Sequence, residues 1–286
     1  PYRKSNLWGR TKPPVGYGID WGDPINAGMG LFVIGNYSES IDKVTGKPPV
    51  SLGASSPSSF SSYGTAILYD AAASQFMDLG TRTNLKSSDG ADSGDISVMV
   101  IANPVSNTAG TLDGRSFLFE KDDGTANNFL ILGINFTADA NLNPSAGRVT
   151  WVGAGGSHAT LAAATATTVL TTVPKWMSFV GVRSGLSSIK IYVDGVDKTS
   201  VTLINAPVAP TGALVSIGGR RAGLAFGPAC HIALTRVWNR ALSASEVMRL
   251  YTEPFAGIQT PRRRIISQVA GVFPIGYMHR TQQRAA

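Results

Sequence analysis

Cysteine is almost absent: Cys230 is the only one in 286 residues, which excludes an internal disulfide and leaves the fold to rest on its core. No run of about 18 apolar residues occurs, so no membrane-spanning helix is indicated. Glutamate occurs only four times, at 39, 120, 246 and 253, which leaves paired-carboxylate chemistry few places to sit. His158, His231 and His279 are far apart and lack Cys or carboxylate companions at ligand spacing, which argues against a zinc centre. The opening Pro-Tyr-Arg-Lys has no apolar stretch behind its charges and does not read as a secretory leader. With a lone thiol, assembly in the cytosol is the expectation.

Glycine (32) and proline (16) are plentiful, with abundant Ser and Thr, as in an all-β domain of short strands separated by turns. Ile189, Ile191 and Val193 alternate with Lys190, Tyr192 and Asp194, the period of a strand with one wet side. Asp194-Gly195 supplies residues able to take positive φ in a tight hairpin, and Val201 with Leu203 reads as the return strand. Leu214, Ile217, Leu234 and Val237 are expected in the core beside the first three. Only the stretch from Ser243 to Tyr251 reads as helix: Ser243 at the N-cap and Glu246 three residues on form a capping box, and Pro254 stops it.

Charge is unevenly placed. Residues 1–12 carry Arg3, Lys4, Arg10 and Lys12, and residues 254–286 carry Arg262, Arg263, Arg264, Arg280 and Arg284, with no acid in either segment. The remaining sixteen basic residues face all eighteen acids, so the body is nearly neutral. Both ends also hold anchors that solvated tails do not need: Tyr2, Trp8 and Trp21 in the first, Ile265, Phe273, Ile275 and Tyr277 in the second. The expected organisation is an N-terminal arm over 1–24, a β domain over 25–253 and a basic arm over 254–286. Tyr2, Arg3, Lys4, Trp8, Arg10, Trp21, Arg262, Arg263, Arg264, Ile265, Phe273, Ile275 and Tyr277 are the candidate partner-binding residues.

The series of a strand with Asp194-Gly195, an Ile217-Gly218-Gly219 strand and the closing R-V-W-N-R-A-L-S-A-S-E-V-M-R-L-Y of Arg236 to Tyr251 resembles the ending of laminin-G-like, concanavalin A-like jelly rolls. Gly64 to Gly80 is similar to that family's early strand pair, while Asn36 to Gly46 replaces its usual acidic-glycine pattern. The resemblance implies a two-sheet antiparallel jelly-roll sandwich with one short C-terminal helix. Thr11 to Gly16, Ile19 to Pro24 and Ala27 to Gly30 resemble the entry sequence of laminin-G-like proteins of tailed bacteriophages, and Leu250 to Phe255 followed by Pro261 and three arginines resembles their exit. This likeness implies a virion component without cofactor. Its expected role is to decorate and stabilise the capsid, with arms gripping the major capsid protein, other virion subunits or further copies of itself.

Sandwich glycosidases carry two carboxylates on one strand as E-x-D-x-x-E or E-x-D-x-E, one as acid and one as nucleophile or base; no such spacing occurs, and Glu120 with Asp122 and Asp123 in FEKDDG reads as a turn. The carboxylate loop Asp89, Asp92, Asp95 departs from recognised calcium loops and reads as a solvated turn. Gly153 to Ser157 opens no helix and so fails as a phosphate loop. Cys230 beside His231 reads as a buried, inert thiol. The arginine triplet comes without a nucleic-acid-binding module. The rival to the virion role is a lectin-like module on a tail or head fibre that binds host glycan. Trp151, Tyr63 and Phe136 are its loop aromatics, although Trp151, Trp176 and Trp238 sit in strand-like stretches that point to the core.

Overall fold

A computed structural model describes residues 13, 17–35, 40–51, 56–61, 63–69, 75–85, 95–104, 115–122, 129–135, 148–154, 161–169, 175–185, 188–204, 214–219 and 230–259. Among these the strands are β1 Gly18–Ile19, β2 Met29–Ile34, β3 Ser56–Ser61, β4 Gly64–Tyr69, β5 Met77–Thr81, β6 Ile96–Pro104, β7 Arg115–Asp122, β8 Phe129–Asn135 and β9 Arg148–Ala154. They continue as β10 Leu161–Val169, β11 Met177–Ser184, β12 Ser188–Val193, β13 Val196–Asp197, β14 Thr199–Ile204, β15 Leu214–Ile217, β16 Cys230–Trp238 and β17 Ile258–Gln259. A 3-10 turn covers Pro24–Asn26, and α1 covers Ala244–Thr252.

The strands form two large antiparallel sheets. One runs β14-β10-β9-β8-β7-β15-β5; the other runs β13-β12-β11-β6-β16-β4-β3, with β2 also paired to β16. Between them lies the main core, which includes Ile189, Ile191, Ile217, Val237 and Trp151 with Val193 against it. The all-β sandwich with one short helix is therefore present as expected. Gly181 shows how closely the sheets approach: a Cβ there would stand 2.5 Å from the Trp151 ring.

Two expected core positions differ, Leu234 through a strand irregularity and Leu214 through ordinary alternation. A register break between Ile232 and Leu234 turns Leu234 to the opposite face, where it joins a second apolar layer. In β15 it is Val215, not Leu214, that alternates with Ile217 into the core. Asp194 and Gly195 do make the hairpin, with φ of 50° and 78°. The return strand, however, is β13, which pairs Val196 with Val193, while Val201 and Leu203 belong to β14 and pair with β10 in the other sheet. The strands of Gly64 to Gly80 likewise divide between the two sheets.

The second layer packs α1 and the 3-10 turn on the outer face of the eight-stranded sheet through Ile25, Phe32, Trp238, Val247, Leu250, Phe255 and Ile258. The Trp238 indole N–H donates to the Ile25 carbonyl at 2.7 Å. The capping box is complete, with the Ser243 hydroxyl accepting from Glu246 N–H and the Glu246 carboxylate accepting from Ser243 N–H. Burial pushes the Glu246 carboxyl up, but its bonds to Arg240 and Ser243 outweigh this and hold it at about 2 against an ordinary 4.5. A depressed carboxylate stabilises the fold above its unfolded value and loses that contribution as pH falls through its folded one. Thermal melts of the native chain and Glu246→Gln should therefore differ at pH 6 and converge as pH drops from 4.5 towards 2.

Polar contacts stitch the sheets at one side, where no disulfide is available. Asp42, wholly buried, accepts from Phe32 N–H in β2 at 3.2 Å and from Val44 N–H at 3.0 Å. Its other oxygen faces Arg82 Nε at 3.6 Å, just past β5 of the opposite sheet. Asn84 donates to the Gly30 carbonyl and its own carbonyl accepts from Asn239.

Candidate functional site

The outer faces of the two sheets differ in what they present. On the eight-stranded sheet the second apolar layer runs on past α1 to Tyr63, with Trp176 packed against it. There, Asn103 of β6 pairs with His231 of β16, which pairs with Leu68 of β4. Trp176, the residue before β11, extends the same row, since Met177 pairs with Ala102. Cys230 and Ile232 face the core, so by alternation His231 and its row neighbours point outward. Trp176, Asn103, His231 and Leu68 are all half-buried.

The Trp176 ring lies against Tyr63, with centroids 5.7 Å apart, and against His231 at 6.4 Å. Tyr63 is buried behind the indole. The result is a partly open platform of indole and imidazole with the Asn103 amide beside it. Asn103 Oδ1 makes no hydrogen bond within the protein, an unanswered acceptor of the kind that calls for an explanation. Burial lowers the His231 pKa from 6.5, so at neutral pH the ring is uncharged. Cys230 next to it is fully buried, and burial raises its thiol pKa, in keeping with an inert thiol.

Trp176, expected in the core, is half-buried and packs against the second apolar layer rather than within the main core. The indole stands just before β11, and its ring partner Tyr63 comes from the turn before β4. Trp151 and Trp238 are buried as expected. Tyr63 was a candidate aromatic; Phe136 lies outside the described residues.

The FEKDDG segment is also corrected. Glu120 and Asp122 belong to β7, where Ser216 and Leu214 of β15 stand opposite them, and Lys121 lies opposite the core residue Val215. Glu120 and Asp122 therefore share the outer face of the seven-stranded sheet. The Ser216 hydroxyl donates to the Gly219 carbonyl at 2.8 Å and sits 3.5 Å from Glu120. Glu120 and Asp122 are 0 % and 1 % exposed, so neither carboxylate opens to solvent where a polysaccharide would enter. Asp89 and Asp92 lie outside the described residues; Asp95 accepts from Gly185 N–H, and no metal-ligating cluster exists among the described residues.

Of the arm residues, only Trp21 is described, and it stands exposed on the turn between β1 and the 3-10 turn. Tyr2, Arg3, Lys4, Trp8, Arg10, Arg262, Arg263, Arg264, Ile265, Phe273, Ile275 and Tyr277 lie outside the described residues. The inner ends of both segments belong to the sandwich: β1 pairs with β17, Asp20 N–H donates to the Gly257 carbonyl at 2.8 Å, and Tyr17, Phe255 and Ile258 are buried in the second layer. The body thus reaches outward past residues 25 and 253 to at least Tyr17 and Gln259.

Residues 79–248 match the model of the concanavalin A-like lectin/glucanases superfamily, laminin-G type, and the chain belongs to that family. No curated protein sequence matches it. Among solved structures, it resembles the binding domain of Paraclostridial Mosquitocidal Protein 1, with TM-score 0.58 and 10 % identity over 79 % of this chain and 52 % of that one. It also resembles Trypanosoma rangeli sialidase, with TM-score 0.55 and 14 % identity over 80 % and 34 %. The chain thus spans about half of the first and a third of the second. Domain 4 of AbnA, an extracellular arabinanase of Geobacillus stearothermophilus in complex with arabinotriose, matches over 78 % of this chain and 98 % of that one, with TM-score 0.50 and 14 % identity. At such identities the likeness establishes the fold alone, that of a concanavalin A-like sandwich.

Proposed function

We propose that this chain is a non-catalytic carbohydrate-recognition module and that the Trp176–His231 platform is its sugar-binding face. The observation that carries the reading is the meeting of Trp176, Tyr63 and His231 beside Asn103 on an otherwise covered face. A pyranose or furanose offers an apolar C–H face that packs on an indole, and hydroxyls that need donors and acceptors at its edge. His231 and Asn103 bring polar side chains to that edge, and the Asn103 oxygen gains a partner once its amide turns towards the ligand. The arabinotriose-bound domain supports this reading as a whole-domain match. The burial of Glu120 and Asp122 supports the absence of hydrolysis, because an acid and a nucleophile must flank an accessible glycosidic bond.

The setting we propose is a tailed-bacteriophage particle, on a tail or head fibre, with host-surface glycan as ligand. Capsid decoration through the terminal segments is the second reading, favoured by their nine basic residues without an acid. A panel of bacterial surface polysaccharides and plant arabinans tests the first. The purified chain should retain at least one oligosaccharide class and release no reducing ends from it. Failure to bind any member, or turnover abolished by Glu120→Gln, would count against the module as described. For the second reading, changing Arg262, Arg263 and Arg264 to Glu should abolish attachment to particles while leaving sugar binding intact, because like charge then faces an acidic partner surface.

A further inference from the structure

Ser178 is the second residue of β11, between Met177 and Phe179, which both face the main core. By alternation its side chain points to the outer face of the eight-stranded sheet, the side that carries Trp176 and Asn103. It stands opposite Ile101 of β6, and Asn103 lies two residues further along that strand. Asn103 and Ser178 are thus diagonal neighbours on adjacent strands, with Cβ atoms roughly 7 Å apart. The main chain of Ser178 is held by the hairpin: its N–H donates to Asp194 Oδ1 at 2.9 Å, and its carbonyl accepts from Asp194 N–H at 2.9 Å. The second Asp194 oxygen faces Lys175 at 3.6 Å.

The Ser178 hydroxyl itself is bonded to nothing within the protein, in a residue only 5 % exposed. Its outward neighbours Ile101, Val180 and Leu234 are apolar members of the second layer, so alanine would suit the packing without burying a polar group. Burying a hydroxyl without a partner is unfavourable. A second such atom, Asn103 Oδ1, stands on the next strand. The two differ in what they lack: the amide oxygen only accepts, whereas the serine hydroxyl can donate. One hydroxyl group set between them, at about 2.8 Å from each, would donate to Asn103 and accept from Ser178. Two bonds of that length span about 5–6 Å, which suits side chains placed diagonally on neighbouring strands.

We propose that Ser178 and Asn103 form a recessed hydroxyl-binding notch beside the Trp176 indole, filled by one water in the free protein and by the exocyclic hydroxyl of the sugar in the complex. The inference rests on the sugar-binding reading and adds a ligand class to it: hexoses and pentofuranoses that carry a hydroxymethyl arm. A ring hydroxyl stays at the edge of a sugar stacked on the indole, whereas the hydroxymethyl oxygen reaches one bond further, to atoms closed off from the surface. It reproduces both bonds of the displaced water, so the exchange costs little. A sugar with a methyl group in that place expels the water and leaves both protein groups unpaired, which is how a site built for a hydroxyl rejects the analogue lacking it.

Ligand-observed NMR titration of the full chain tests this with the methyl glycosides of glucose, galactose, mannose and arabinofuranose, each beside its counterpart with the exocyclic hydroxyl replaced by hydrogen. The native chain should bind at least one hydroxymethyl sugar about tenfold more tightly than its deoxy counterpart. Ser178→Ala should bring that ratio to within about twofold, by losing affinity for the hydroxymethyl member alone, and Asn103→Leu should do the same from the other side of the notch. Because the Ser178 hydroxyl holds no protein group, Ser178→Ala should melt at or above the native temperature in the absence of sugar; a lower midpoint would mark the hydroxyl as structural and count against the notch. Equal affinities within every pair, or a preference that survives both substitutions, overturns the notch and leaves the Trp176 platform standing. Failure to bind any of these glycosides overturns it as well, and if the polysaccharide panel also fails, the sugar-binding reading falls with it.

Discussion

Replacing Asp42 by Ala is expected to lower the melting temperature by about 10 °C. Asp42 and Arg82 are both buried, and they join β2 of one sheet to the end of β5 in the other. Removing one partner of a buried ion pair leaves an uncompensated charge, at a cost of about 3–5 kcal/mol. For domains of comparable size each kcal/mol moves the midpoint by roughly 2–4 °C. The Phe32 and Val44 N–H groups would lose their acceptor as well. The double variant Asp42→Ala with Arg82→Met should recover part of the loss, because the stranded guanidinium is gone. Differential scanning calorimetry reads both. A drop under about 3 °C for the single variant would mean that the sheets do not depend on this link.

Trp176→Ala should weaken oligosaccharide binding roughly tenfold or more, equivalent to about 1.4 kcal/mol, since stacking on the indole is the main apolar contact the platform offers. His231→Ala and Asn103→Ala should each lose less, because hydrogen bonds to neutral groups contribute about 1 kcal/mol net. The fold should survive, as Trp176 is only half-buried and outside the main core. Titration calorimetry with the oligosaccharide the panel selects measures all three. Equal affinity in Trp176→Ala and the native chain would move the binding site elsewhere.

The parts legible in the sequence are those whose physics is local. Ile189, Ile191 and Val193 alternate within one strand, Asp194 and Gly195 take positive φ within one turn, and Ser243 with Glu246 close one capping box. The parts that were not legible depend on distant partners. Nothing near Trp176 in the chain announces Tyr63, from the turn before β4, or His231, from β16. The move of Val201 and Leu203 to the other sheet follows from the two-residue strand β13 ending at Asp197, which alternation alone cannot place. Glu120 and Asp122 looked like turn residues by composition, yet their spacing of two is what sets both on one face of β7. A strand reading of FEKD was available in the apolar run Phe117 to Phe119 before it.

The central claim is that the platform binds sugar and leaves it intact. The most direct measurement is a fluorescence titration of the native chain and Trp176→Phe with the selected oligosaccharide, followed by chromatography of the recovered sugar. The account predicts a saturable change in the native emission, a loss of that change in the variant, and an oligosaccharide of undiminished length. Saturable change that persists in Trp176→Phe, or recovery of shorter fragments, would contradict it.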